Sequence, residues 1–192
     1  MLRRAAVAAW AETLKLGAMA PATTVKMKNV DGGEVSIADV AGAKGTLVIF
    51  SCNACPFVKA WEERVAALGN AYSKKDVGVI QINSNDPAKV ADDGFAQMQE
   101  RAKARGFTFP YVVDANSTVA EAFGASRTPE AFLFDKDWHL VYHGTVDDNF
   151  KDATQVQDHY LRDALESLIA GKEIATKETK AVGCSIKFHS KG

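Results

Sequence analysis

Apolar residues along this chain fall into two kinds of run. TLVIF (46–50) and VGVIQI (77–82) are continuous and β-branched, the pattern of strands buried on both faces. Between them, residues 56–74 predict a helix, with Val58, Trp61, Val65, Leu68 and Tyr72 on one face and Lys59, Glu62 and Glu63 mostly on another. Upstream, VKMKNVDGGEVSI (25–37) alternates around Asp31-Gly32-Gly33 and predicts a β-hairpin. Downstream, the turn-rich 83–87 leads to a polar helix over 92–104 that stops at Gly106, a strand over 110–113, and a short helix over 118–123 ended by Gly124. Two strands follow, 131–134 and 140–143, antiparallel across a turn at 135–137. A last helix over 154–170 carries Leu161, Ala164, Leu165, Leu168 and Ile169 on one face and stops at Gly171. This order predicts an α/β sandwich around a mixed central sheet flanked by helices. It divides the chain into an extension (1–13), one domain (14–171) and a lysine-rich tail (172–192).

Composition changes this picture little. With 47% hydrophobic and 24% charged residues and a formal net charge of −1, the chain reads as one soluble domain. That balance gives no electrostatic reason to expect nucleic acid or an anionic membrane as partner. No apolar run approaches the roughly 18 residues that span a bilayer. The opening MLRRAAVAAWA has two arginines before an apolar stretch and a small-x-small Ala9-Trp10-Ala11. It reads as a signal remnant or as a short amphipathic helix, because a secretory signal usually takes ~15–30 residues. The compartment is accordingly cytoplasmic or, with a signal, periplasmic or secreted.

The chemistry concentrates in FSCNACPFVK (50–59), where two cysteines three apart close a strand and open a helix. A thiol in the first helical turn meets unsatisfied backbone N–H groups and the positive end of the helix dipole. Both favour thiolate, the attacking species in disulfide exchange and in peroxide reduction. A second thiol three residues away can close a short disulfide. Pro56 suits the first turn, which has no use for its missing N–H. Two other readings stand beside a redox pair: two buried structural thiols, or a zinc site built from Cys52, Cys55, Cys184 and His189. Haem attachment is excluded, because Pro56 stands where it needs a histidine. Three cysteines are too few, and odd in number, for a disulfide framework.

Four segments give the chain a family likeness: LKLGAMAP (14–21), SIADVAG (36–42), the strand into FSCNACPFVK, and SRTPEAFLFD (126–135). On these it resembles the thioredoxin-fold alkyl hydroperoxide reductase/thiol-specific antioxidant superfamily. GCSIKF (183–188) is similar to the ending of a peroxiredoxin-like branch. The resemblance implies a thioredoxin-like sandwich with an N-terminal β-hairpin, and no cofactor. In thioredoxins the nucleophilic cysteine follows the strand's last aromatic by five positions, and five from Phe50 is Cys55. Peroxiredoxins agree, since their attacking cysteine is commonly followed by proline. Cys55 is then the nucleophile and Cys52 its resolving partner.

The resemblance also implies that Pro129, after Thr128, is the cis-proline facing the active site, although only ~5–6% of X–Pro bonds in folded proteins are cis. Arg127 beside it reads as a thiolate-stabilising charge or as a solvated loop residue. Peroxiredoxins hold peroxide with a proline and a threonine ahead of the cysteine and a later arginine. Here those positions carry Val48, Cys52 and Pro129. Thiol–disulfide exchange is therefore expected first, with a protein dithiol/disulfide substrate and a thioredoxin-type electron donor. Reduction of hydroperoxides is the alternative, and a non-catalytic zinc module the third. Cys184 reads as an unpaired tail thiol or as a resolving thiol for Cys55, in the same chain or across a homodimer. His139 and His143 read as surface residues of an edge strand, and Trp10, Trp61 and Trp138 as packing.

Overall fold

The computed structural model describes residues 12–190. Its elements run β1 (Met27–Asn29), β2 (Glu34–Val35), β3 (Gly45–Ser51), α1 (Pro56–Tyr72), β4 (Val77–Asn83), α2 (Phe95–Arg105), β5 (Tyr111–Val113), α3 (Thr118–Phe123), β6 (Arg127–Thr128), β7 (Glu130–Asp135), β8 (Leu140–Gly144), α4 (Tyr160–Ile169) and β9 (Cys184–Ser185). Seven strands form one sheet in the order β2-β1-β5-β4-β3-β7-β8. The two continuous apolar runs are its centre. β3 pairs parallel to β4, with Leu47 beside Val79, and antiparallel to β7, with Leu47 beside Leu133. Every residue of both central strands is buried.

The pleat divides β3 between two cores. Leu47 and Ile49 face Trp61 and Val65 of α1 and Leu161 and Leu165 of α4. Val48 and Phe50 face Ile80, Ile82, Val119, Phe123, Phe132 and Phe134. Two buried carboxylates fix α1 from its flanks. Glu62 receives Arg101 and Arg105 of α2, each at 2.5 Å, and Asp147 receives Trp61 Nε1 at 2.7 Å and Arg64 at 2.5 Å. This is the thioredoxin-like sandwich, its mixed sheet flanked by helices and carrying the N-terminal β-hairpin as one edge.

The structure departs from the sequence reading in three places. The last helix starts at Tyr160, because Asp152 caps only a single 3-10 turn, accepting from the Thr154 N–H at 2.8 Å, after which Val156 is extended. His143 is buried rather than at the surface. Its strand, β8, ends the sheet, but residues 177–179 run beside it: the His143 N–H donates to Lys177 O at 3.0 Å and the Thr179 N–H to His143 O at 2.9 Å. The polar tail also folds back across the domain, where β9 pairs antiparallel with β6 and Ile186 enters the core. The N-terminal segment 1–11, with its signal or helix reading and Trp10, lies outside the described residues.

Candidate active site

Leaving β3, the chain makes one tight turn through Cys52, Asn53 and Ala54 before Cys55 caps α1, with Pro56 as the first helical residue. A buried carboxylate holds that turn. Asp93 Oδ1 accepts the N–H of Asn53 at 2.5 Å and of Ala54 at 3.1 Å, while Oδ2 accepts Asn85 Nδ2 at 2.7 Å. The Asn53 side chain adds two ties, donating to Asp92 O at 2.8 Å and accepting from Tyr111 OH at 2.9 Å. Turn and helix start are thereby fixed to β4, β5 and the segment before α2.

The second wall is β6 and the bond after it. The Thr128–Pro129 peptide is cis. Cys52 Sγ lies 3.3 Å from Thr128 Oγ1, and the Cys55 thiol donates to Thr128 O at 3.2 Å. Below, Glu130 Oε2 accepts the N–H of Ser126 at 2.8 Å and of Arg127 at 2.9 Å, and Oε1 meets His143 Nε2 at 2.7 Å. Cys184 on β9 completes the cluster, packing against Cys52, Cys55 and Val58. All three cysteines are free thiols.

The two thiols of the pair are opposite in acid strength. Cys55 is held well below the ordinary thiol range, first by the hydrogen bond from Cys52, then by bonds from the Cys184 thiol, the Val58 N–H and the Cys184 N–H, against the cost of burial. Cys52 is pushed well up, first because its proton is the one donated to Cys55, then by burial and by the negative charge of Asp93. Cys184 is raised too, by burial and by donation to Cys55, with Lys187 and Arg127 opposing. Of the three thiols, Cys55 is the one whose surroundings favour the thiolate, reached when the proton it gives to Thr128 O is lost.

The structure thus brings together Cys52, Cys55, Thr128, Pro129 and Cys184. The Arg127 charge bears on Cys184, and its side chain reaches Gly183 O at 3.4 Å. It does not assemble the zinc set. The tail folds back, but His189 is held elsewhere, its N–H on Ser117 Oγ at 3.0 Å and its ring 3.8 Å from Asp86. Among the described residues, no group of three or more His, Cys, Asp or Glu is arranged to hold a metal ion. No described helix is long and apolar enough to cross a membrane. Sequence reasoning missed Asp93, Asn53, Glu130 and His143, whose partners are backbone groups or lie far away in the chain.

The sequence profile of the AhpC/TSA family matches residues 16–143. Two solved structures superpose over almost the whole chain. A hypothetical protein from Sinorhizobium meliloti 1021 is 32% identical with a TM-score of 0.86, covering 94% of this chain and 98% of its own. An uncharacterized conserved protein from Geobacillus kaustophilus is 36% identical, also at 0.86, covering 93% and 94%. The thiol-disulfide oxidoreductase ResA of Halalkalibacterium halodurans is 23% identical over 115 residues, which is 60% of this chain and 61% of that protein. The chain therefore spans less than two thirds of the length of this curated relative.

Proposed function

Since the chain belongs to the AhpC/TSA family, we propose that it is a thiol–disulfide oxidoreductase working through a Cys52/Cys55 couple, with Cys55 as the nucleophile. The observation that carries this reading is the place of Cys55 at the start of α1, packed with Cys52 and Cys184 and facing the cis Thr128–Pro129 peptide. The Cys55 thiolate attacks one sulfur of a substrate disulfide, and the first substrate thiolate leaves. Cys52 then attacks the Cys55 sulfur, its proton passing to the second leaving thiolate. The products are a Cys52–Cys55 disulfide and a reduced substrate, and a dithiol donor of the thioredoxin type restores the pair. Hydroperoxide reduction has less support. Val48 is fully buried among apolar neighbours, and Cys52 and Pro129 replace the other groups that would polarise a peroxide.

The test uses single serine replacements in a Cys184→Ser background, with mixed disulfides trapped on a small disulfide substrate. Cys52→Ser is expected to accumulate an adduct on Cys55, and Cys55→Ser to form none. An adduct on Cys52 with none on Cys55 overturns the assignment.

A further inference from the structure

The tail crosses the cysteine site as a strap tied down at both ends. Its near end runs beside β8, with the His143 N–H on Lys177 O at 3.0 Å and the Thr179 N–H on His143 O at 2.9 Å. Thr179 Oγ1 also accepts the Thr145 N–H at 2.9 Å, and it lies against Gly144 with no room for a Cβ. Midway, Gly183 passes the Thr128–Pro129 peptide just as closely, and Cys184 and Ser185 pair opposite Thr128 and Arg127. At the far end the Ile186 N–H donates to Ser126 O at 3.0 Å and the Lys187 N–H to Asn85 Oδ1 at 2.8 Å. The edge of β6 is thereby closed to any other chain. Lys180, Val182 and Ser185 of the strap are exposed, whereas Cys52 and Cys55 are buried.

The near tie holds one buried polar atom without a partner. His143 is 8% exposed, and its ring lies between two carboxylates. Nε2 meets Glu130 Oε1 at 2.7 Å. Glu130 already accepts two backbone N–H groups, so the ring proton sits on Nε2. Nδ1 is buried with no hydrogen bond, and Glu178 Oε1 of the tail stands 3.6 Å from it. In the neutral ring that nitrogen carries only a lone pair, which gains nothing from a carboxylate. A second proton makes it a charged donor facing Glu178. The other charges around this cleft are Glu12, Lys15, Arg127 and Lys180. Glu12 and Lys15 pair with each other at 3.3 Å, Arg127 reaches Gly183 O, and Lys180 is exposed. On β7, Phe132 covers the ring with centroids 4.6 Å apart.

We infer that His143 and Glu178 form a pH-sensitive latch that sets how firmly the tail strap closes over the cysteine site. The sign follows from the charges. An imidazole gains its proton as pH falls from ~8 to ~5. His143 is then a cation held by Glu130, next to the cis-proline, and by Glu178 on the tail. The near tie tightens and the strap stays down. As pH rises, Nδ1 loses its proton and the Glu178 attraction with it, and the strap lifts from β6 more often. The latch governs access to the cysteines, whichever of them attacks.

Hydrogen exchange of the tail amides reads the latch. In the reduced full-length chain, exchange of the peptide covering 177–187 is measured at about pH 5.5 and about pH 8 and divided by the unstructured-chain rate at each pH. Protection is expected to fall at the higher pH by about threefold, the size of one partly exposed ion pair. Glu178→Gln removes the charge at a side chain that is 63% exposed, so the fold is kept. Its tail is expected to show the lower protection at both pH values. At the lower pH, its Cys55 should also be alkylated by iodoacetamide faster than in the unaltered chain. Equal protection at the two pH values in the unaltered chain overturns the inference. So does a pH dependence that survives Glu178→Gln, or an equal loss of protection from β3, which marks general unfolding. Unchanged Cys55 alkylation in Glu178→Gln overturns the strap's control of the site.

Discussion

Asp93 and Glu130 lie on opposite sides of the cysteines, and each accepts two consecutive backbone N–H groups. Asp93 takes those of Asn53 and Ala54 in the cysteine turn, and Glu130 those of Ser126 and Arg127 ahead of the cis-proline. They differ in reach. Asp93 closes 39 and 40 residues of chain, whereas Glu130 closes three and four. They differ also in what their second oxygen holds, the Asn85 amide for Asp93 and the His143 ring for Glu130. One wall of the site is therefore set by a long-range tertiary contact and the other by a local turn. Only the first places its charge where it acts on a thiol, raising Cys52.

Removing these carboxylates tests that contrast, and the distant one is expected to matter more. Asp93→Ala strips two buried donors and one half-buried donor of their acceptor and should cost roughly 3–5 kcal/mol of stability, read from urea unfolding of the reduced protein. Glu130→Gln keeps an acceptor oxygen and should cost roughly 2 kcal/mol. A larger loss for Glu130→Gln than for Asp93→Ala would reverse the ranking. Smaller again is Gly183→Ala, at roughly 1–2 kcal/mol, since the added methyl meets backbone that must shift. It should also raise the proteolytic sensitivity of the tail while leaving the cysteine turn intact.

The gentlest change is Asp93→Asn, which removes the charge and keeps a side chain of similar shape. Its sign follows from Coulomb interaction. A negative charge beside Cys52 holds the proton on, so losing it should move the alkylation profile of Cys52 to lower pH. No movement would detach Asp93 from the electrostatics of the pair and leave it only the turn.

The same contrast explains what could be read from the chain. β3 and β4 are legible because their apolar runs lie at the sheet centre, where local pattern and burial agree. Cys55 at the helix start was legible from the resemblance, which places it five positions after Phe50, and from Pro56, which suits a first helical turn. Asp93 was not. It is one of 24 acidic residues, and its partners are backbone groups some forty residues away that carry no sequence signal. His143 was misplaced because its strand is at the sheet edge and the strand's cover comes from the tail. The return of the tail across the domain has no sequence signal, because β6 and β9 have two residues each, too few for any periodicity. GCSIKF stood out only by its resemblance, and nothing in its pattern says that Gly183 and Ile186 fit the tail to the domain.

Cys52 and Cys55 stand three residues apart with opposed acid strength, and alkylation of Cys55 against pH reads that opposition directly. In reduced Cys184→Ser protein, the Cys55-bearing peptide is quantified after brief exposure to iodoacetamide. Hydrogen bonds to the anion favour thiolate, so Cys55 should react at an almost constant rate from alkaline pH down past neutrality. Its inflection should lie below the ordinary thiol range near ~8.5. Replacing the donor, as Cys52→Ala, should move that inflection upward. A Cys55 inflection at or above the ordinary range, unmoved by Cys52→Ala, would contradict the assignment of Cys55 as the nucleophile.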